Sequence, residues 1–273
     1  MLRFFETEKV TDKITRINTN FKVCMYYIQG DDMGVLIDTG IGYGDLKSFV
    51  DSISTTPYKV ILSHGHYDHA GGSGQFKEVY LNYLDYKLAK DHCNSDLRIK
   101  MIERVSLENT SSTKISEQIV PIQNNSYKEL TEETIFELGN ITIQPILVPG
   151  HTQGMMAFLI VEEKVIIFGD ASGENTLICL PESTSIAEHL EGLKKLKKLE
   201  GQYTRILRNH GTFESPLFLL DNNIATCKKI ISGTDDRMPV KFQGINALSG
   251  KNRDIISLDE DKIGNIIYTL DKL

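Results

Sequence analysis

The sequence predicts an α/β fold in which histidine and aspartate side chains lie at the carboxyl ends of strands. Strand, helix and strand signals follow one another between Val23 and Leu62, and the second half of the chain repeats this order. Several apolar runs end at a glycine beside a histidine or an aspartate. In α/β sheets this edge is where functional groups collect, so we expect one site there.

Length and composition are those of an ordinary globular protein. The chain has 273 residues, of which 40% are hydrophobic and 25% charged, which is enough to bury a substantial core. No shift in composition marks a linker, so we predict a single domain over residues 1–273. Within it we expect a helical insertion at about 82–130, lying over the site, and a C-terminal β extension at about 238–273.

Charge and hydropathy exclude some functions. The net charge of −7 argues against a nucleic-acid surface, because phosphate binding depends on clustered Lys and Arg. The first twenty residues lack the continuous apolar run of a signal peptide, and no segment has the length of a membrane span. We therefore expect a cytoplasmic protein with no membrane partner. The 4 cysteines form no CxxC pair and are expected to be thiols.

The first elements lead to a dense histidine loop. We predict strands at 23–28, 35–37 and 59–62, and a helix over 46–53 that begins near Asp45. The loop then places His64, His66, Asp68 and His69 within six consecutive positions. Gly65, Gly71 and Gly72 allow the backbone to fold tightly around these side chains. Three of the chain's 7 histidines in one loop are hard to explain by packing alone.

Three later strands end in the same way. The strand at 146–148 precedes His151, the hairpin of 157–161 and 165–168 ends at Asp170, and the strand at 205–207 precedes His210. A helix that starts at Ser185, with Glu188 in a capping box, lies between them. If the strands are parallel neighbours or share an edge, all seven side chains converge. The remaining histidines, His92 and His189, are expected to be surface or satisfied core residues.

Seven candidate ligands are more than one metal ion takes. A catalytic zinc normally binds three protein ligands and a water, and structural zinc sites are closed and usually contain Cys. Two divalent ions that share a bridging carboxylate would use the whole set. Imidazole and carboxylate suit zinc, but they also suit iron and manganese, so the ligand type does not fix the metal. We expect zinc, with iron and manganese as the alternatives.

The motifs HGHYDH, VPGHTQG, FGD and NHG, following the IDTG strand, together resemble the metallo-β-lactamase superfamily. The resemblance implies an αββα sandwich, with two mixed sheets flanked by helices, and a dinuclear metal hydrolase. It also implies that Asp38 steadies the ligand loop. By this resemblance, His64, His66 and His151 bind one metal ion. Asp68, His69 and His210 bind the second ion, and Asp170 bridges the two.

The resemblance also implies a reaction. A hydroxide held between the two ions would attack a carbonyl, and Asp68 would orient it and carry a proton to the leaving group. For Tyr67, inside the motif, a hydrogen bond to the substrate and a packing role are equally open.

Asp170 stands where true β-lactamases carry a cysteine, which favours the glyoxalase II-like thioesterase and lactonase branches. We expect hydrolysis of a small ester, thioester or lactone. The alternatives are an iron-dependent oxidoreductase similar to persulfide dioxygenases, and a phosphodiesterase.

Overall fold

The computed structural model describes residues 4–105, 115–123, 126–252 and 263–273. The chain divides into two compact units, Met1–Gln144 and Pro145–Leu273. The prediction of a single domain stays a prediction. Within the described ranges, no helix has both the length and the apolar character needed to cross a membrane.

The first unit is built on a mixed seven-stranded sheet whose strand order follows the chain. Strands β1 to β4 are antiparallel neighbours, and β4 to β7 are parallel. The strands are β1 (Phe5–Lys9), β2 (Ile14–Thr19), β3 (Cys24–Gln29), β4 (Gly34–Ile37), β5 (Tyr58–Ile61), β6 (Val79–Leu81) and β7 (Lys128–Glu129). The helices are α1 (Leu46–Ile53), α2 (Tyr67–Ala70), α3 (Tyr86–His92) and α4 (Ser95–Val105), with single 3₁₀ turns at Ser73–Gln75 and Tyr83–Asp85.

Local sequence explains the first unit's helix and core. The Asp45 side chain accepts a hydrogen bond from the Ser48 amide and so caps α1, as predicted. This helix buries Leu46 and Val50 against the apolar residues of β4 and β5. All four residues of β4 are buried, which accounts for its continuous apolar sequence. The core therefore holds the end of β5, and with it the start of the histidine loop.

The second unit contains two mixed sheets. Its main sheet runs from β14 through β13, β11 and β10 to β9, and a smaller sheet has the order β12, β17, β16, β15. The boundary between the units falls within β9, which pairs antiparallel with β8. Strand β8 (Phe136–Glu137) belongs to the first unit. The strands that follow it are β9 (Thr142–Leu147), β10 (Met156–Ile160), β11 (Val165–Ile167), β12 (Asn175–Ile178), β13 (Arg205–Leu207), β14 (Glu214–Ser215), β15 (Met238–Phe242), β16 (Ile245–Ser249) and β17 (Asn265–Tyr268). The helices are α5 (Ile186–Lys198) and α6 (Phe218–Ser232), with a 3₁₀ turn at Leu270–Lys272.

The predicted helix start at Ser185 is confirmed. Ser185 and Glu188 form the capping box at the start of α5. Gly233 ends α6 in the left-handed conformation, with φ of 69°. Both helices contribute buried residues to one apolar cluster with the strands of this unit.

The predicted α/β class with mixed sheets and helices is confirmed. The predicted helices of the insertion are α3 and α4, and the C-terminal strands are β15 to β17. Part of the insertion, residues 106–114, lies outside the described residues. Strand β17 pairs in parallel with β12, so the C-terminal segment completes a sheet of the second unit.

The core cluster of the second unit gives a stability prediction. Leu193 on α5 is 0% exposed within that cluster. We expect Leu193→Ala to lower the free energy of unfolding by about 2–5 kcal/mol, because it leaves a cavity. Lys198→Ala, at an exposed position of the same helix, should change it by less than about 0.5 kcal/mol. Urea unfolding of both variants checks this, and equal effects would contradict the packing described.

Candidate metal centre

The buried carboxylate of Asp38 organises the histidine loop of the first unit. Because β4 and β5 are parallel neighbours, Asp38 and Ser63 emerge at the same end of the sheet. Asp38 Oδ1 accepts the Ser63 amide at 2.7 Å, and Oδ2 accepts the Ser63 hydroxyl at 2.8 Å. Oδ2 also lies 2.9 Å from His69 Nδ1. Asp38, Ser63 and His69 are all 0% exposed, so these bonds replace water for a fully buried group.

These contacts fix the tautomers of two histidines. A carboxylate only accepts hydrogen bonds, so His69 Nδ1 carries the proton and its Nε2 presents a lone pair. The Ser63 hydroxyl donates to Asp38, and it therefore accepts from His64 Nδ1, 3.0 Å away. His64 is left with Nε2 as its ligand atom. One carboxylate thus sets the protonation of both imidazoles.

The nitrogens of His64 and His66 face each other. His64 Nε2 lies 3.0 Å from His66 Nδ1. Two nitrogens bound to one tetrahedral zinc at 2.0–2.1 Å would be separated by ~3.3 Å. The spacing therefore fits a shared metal ion with a small adjustment of side-chain torsions.

Glycines let the ligand loop lie close to the neighbouring loop at 39–42. A Cβ on Gly71 would come within 2.5 Å of the Ile41 carbonyl oxygen, and one on Gly72 within 2.3 Å of that of Thr39. At this short range the Thr39 amide and hydroxyl both donate to the His69 carbonyl, at 2.7 and 2.9 Å. The one-turn helix α2 is held in place by these bonds.

The three candidate ligands of the second unit also lie together. Strands β11 and β13 are parallel and in register, so Asp170 and His210 follow the same sheet edge. Asp170 Oδ2 is 3.5 Å from His151 Nε2 and 3.6 Å from His210 Nε2. Both distances exceed a normal hydrogen bond. His151 Nδ1 donates to the Leu177 carbonyl at 2.9 Å, which directs Nε2 towards Asp170.

An ion pair connects the loops that carry Asp170 and His210. Arg208, 5% exposed, donates to Glu174 Oε1, to Thr212 Oγ1 (both 2.8 Å) and to Ser215 Oγ (2.6 Å). Asn223 on α6 donates to Ser172 Oγ at 2.7 Å in the same loop as Glu174. The positions of two candidate ligands therefore depend on one buried guanidinium.

The two remaining histidines have different surroundings. His189 is 0% exposed on α5, and a Cβ on Gly150 would lie 2.1 Å from its Nδ1. It is a core residue that packs under the loop of His151. His92 stacks on His66, with ring centroids 5.1 Å apart and an interplanar angle of 18°. It therefore supports a candidate ligand, whereas the sequence predicted an uninvolved residue.

The donor chemistry suits divalent metal ions. Each unit presents imidazole nitrogens beside a carboxylate, and the ligand-type atoms of His64 and His66, and of Asp68 and His69, lie within 4.8 Å of each other. All four cysteines are buried and none is in a disulfide. Burial raises the pKa of the Cys93 thiol to about 12 and that of Cys179 to about 11. The thiols of Cys93 and Cys179 are therefore protonated and poor ligands.

Sequence comparison identifies the class. A sequence model of the Metallo-beta-lactamase superfamily matches residues 19–207. The chain belongs to this superfamily of metallo-hydrolases.

Its relatives are distant. Acyl-coenzyme A thioesterase MBLAC2 of Bos taurus is 23% identical over 217 residues, covering 73% of this chain and 77% of that protein. The probable metallo-hydrolase YqgX of Bacillus subtilis (strain 168) is 22% identical over 209 residues, covering 72% and 89%. Among solved structures, a metallo-beta-lactamase from Pontibacter korlensis superposes with a TM-score of 0.59 at 17% identity, over 82% of this chain and 99% of that one. That likeness supports the fold.

The predicted residues thus form two described groups. The first unit holds His64, His66, Asp68 and His69 with Asp38, and the second holds His151, Asp170 and His210. Their assignment to two ions stays a prediction. Tyr67 packs against the apolar cluster of Ile41, Ile102 and Ile115, and its contact with a substrate stays a prediction. Sequence reasoning missed Arg208 and Glu174, since nothing in their spacing connects them.

The burial of His189 predicts a pH effect on stability. Burial lowers its pKa to about 4, from the ordinary 6.5. Between pH 6.5 and 4, His189 is protonated in the unfolded chain and neutral in the folded chain. The free energy of unfolding is therefore unaffected by this group above pH 6.5, and it falls by about 3 kcal/mol as the pH drops towards 4. His189→Asn should flatten this slope. Urea unfolding of chelator-treated protein from pH 7 to 4 measures it, and identical slopes would contradict the assignment.

The Arg208–Glu174 pair predicts a second stability difference. Glu174→Ala removes a carboxylate to which the buried Arg208 guanidinium donates, so we expect a loss of about 1–3 kcal/mol in the free energy of unfolding. Arg205 and Glu214 form an exposed pair with an N–O distance of 2.8 Å on strands of the same sheet. Glu214→Ala should cost less than about 1 kcal/mol. Equal losses in urea unfolding would show that the buried pair has no special role.

Proposed function

We propose that this chain is a hydrolase that binds two divalent metal ions, preferably zinc, and cleaves a small thioester, ester or lactone. In this proposal His64, His66 and His151 bind one ion. Asp68, His69 and His210 bind the other, and Asp170 bridges them. Membership of the metallo-β-lactamase superfamily supports the general class of reaction.

The observation that carries the proposal is the orientation of the candidate ligands by hydrogen bonds to neighbouring groups of the protein. Asp38 directs His69, Ser63 directs His64, and the Leu177 carbonyl directs His151. Each imidazole has one nitrogen held by the protein and the other turned towards neighbouring ligand-type atoms. Histidines that served only packing would not need this arrangement, whereas metal ligands do.

Bound ions would supply a water of lowered pKa and a Lewis acid for the substrate carbonyl. The chain's own residues do the rest. Asp68 is about one quarter exposed, with its Oδ2 4.0 Å from His69 Nε2, so it reaches solvent from inside the ligand group. We propose that Asp68 accepts a proton as the nucleophile forms and returns it to the leaving group. This requires no serine or cysteine nucleophile.

The thioester is the favoured substrate class. The MBLAC2 proteins of Bos taurus and Homo sapiens, 23% and 21% identical to this chain, are named acyl-coenzyme A thioesterases. Asp170, in the place of the cysteine that true β-lactamases carry, also favours this branch. The net charge of −7 weighs against a nucleic-acid substrate, which needs clustered Lys and Arg. We propose a small-molecule substrate and no nucleic acid.

Metal content is the first test. Elemental analysis of protein purified without added metal should give close to two ions per chain, mainly zinc. A single iron per chain, together with oxygen consumption, would favour the persulfide dioxygenase-like alternative. A panel of thioesters, lactones, phosphodiesters and β-lactams on the metal-loaded protein then tests the substrate class.

A substitution tests the bridging position. We expect Asp170→Ala to lower thioester turnover by more than the ~10–100-fold typical of partners outside the ligand set, because a shared ligand is lost. The circular dichroism spectrum should be unchanged. Asp221→Ala removes a half-exposed carboxylate of the same unit and is the control. Retained activity in Asp170→Ala would overturn the ligand assignment.

A further inference from the structure

The segment predicted as a helical insertion forms hydrogen bonds with the histidine loop at both ends of that loop. We define residues 82–105, which include α3 and α4, as the brace segment. Its first contact is with the Gly65 amide, between His64 and His66. Its second contact is with the Gly71 carbonyl, two residues after His69. Both contacts lie within the first unit.

The first contact is made by a side-chain carboxyl group. Asp85, 1% exposed, accepts the Gly65 amide on Oδ2 at 2.9 Å. Asn82 positions this turn: its Oδ1 accepts the Leu84 amide at 3.2 Å, and its Nδ2 donates to the Leu130 carbonyl at 2.9 Å. A Cβ on Gly65 would lie 2.9 Å from the Ala89 amide nitrogen, so α3 rests directly on the ligand loop. The amide between two candidate ligands is therefore fixed from outside the loop.

The second contact is made by a buried arginine. Arg98 on α4 is 0% exposed, and its guanidinium donates only to main-chain carbonyls among the described contacts. Nη1 reaches Gly71 at 3.0 Å, Ile41 at 3.3 Å and Gly42 at 3.4 Å. Nε donates to Cys93 and Nη2 to Val120, both at 2.8 Å. A guanidinium offers five donors in a rigid fork, so this side chain joins α2, the 41–42 loop and the brace segment in one geometry.

The hydrogen bonds of Asp85 and Arg98 explain how a short loop can hold its candidate ligands in position. Helix α2 has only four residues and stabilises itself weakly. Small errors in ligand position reduce metal affinity, and partners outside the ligand set typically contribute 10–100-fold. Asp38 holds the loop from the sheet side, and the brace segment holds its two ends.

We infer that Asp85 and Arg98 are positioning residues, which set the metal affinity of the histidine loop by fixing the main chain at Gly65 and Gly71. This inference rests on the proposed metal-dependent function. It also predicts protection of the loop in metal-free protein, which can be measured on its own.

The test uses the full chain with Asp85→Ala, Asp85→Asn, Arg98→Gln and two controls. The controls are Asp91→Asn, in an exposed pair with Lys87 on α3, and Arg104→Gln, at an exposed position of α4. Amide hydrogen exchange of residues 63–72 is measured without metal, and zinc affinity by competition with a chelator. A cobalt spectrum reports ligand geometry.

We expect Asp85→Ala and Arg98→Gln to lower zinc affinity by about 10–100-fold and to speed exchange at 63–72 by about tenfold. Asp85→Asn retains an acceptor oxygen and should restore most of both. The controls should match the parent protein. If exchange and zinc affinity stay at parental values in folded Asp85→Ala and Arg98→Gln, the inference is wrong. If the parent binds no metal, the proposed function fails, and the brace segment is judged by the exchange rates alone.

Discussion

The buried carboxylate of Asp38 is the interaction on which the candidate centre depends. It accepts from the Ser63 amide, the Ser63 hydroxyl and His69 Nδ1, with no exposed surface. A charge in such a place is costly unless its oxygens are fully bonded. Satisfying it forces one arrangement of the loop and one tautomer for His64 and His69. Asp38 also has a φ of 66°, which aspartate tolerates better than most residues.

The second unit orients its candidate ligands through different contacts. A main-chain carbonyl, that of Leu177, replaces the carboxylate as the acceptor for His151. The parallel pairing of β11 and β13 brings Asp170 and His210 to one edge, and Arg208 ties their loops together. Both units thus combine parallel strand ends with a buried polar contact. The strands give approximate position, and the polar contacts give orientation.

Much of this could be predicted from the sequence because the informative residues are local. The strand at 58–61, the cap at Asp45 and the capping box at Ser185 each depend on residues within a few positions of one another. The candidate ligands could be found because each follows an apolar run directly.

The supporting contacts could not be predicted from the sequence for an equally physical reason. Arg98 reaches the Ile41 carbonyl across 57 positions. Every group to which it donates among the described residues is a main-chain carbonyl, which leaves no side-chain pattern to recognise. Leu177 acts on His151 through its main-chain carbonyl, which no residue pattern reveals. Asp85 and Glu174 resemble surface carboxylates in a list of residues, and only the fold shows them to be partly or fully buried. His92 looked unrelated to the site because its stacking on His66 depends on the placement of α3.

The tight glycine contacts limit how this protein can evolve. At Gly65, Gly71 and Gly150, any added side chain would collide with main chain or with the His189 ring. A side chain at any of these positions would force the neighbouring groups to move, so sequence variation is better tolerated at other positions of these loops. A mutagenesis library aimed at altered specificity gains little by sampling these three glycines. The same rigidity would let surrounding residues diverge without disturbing the candidate ligands.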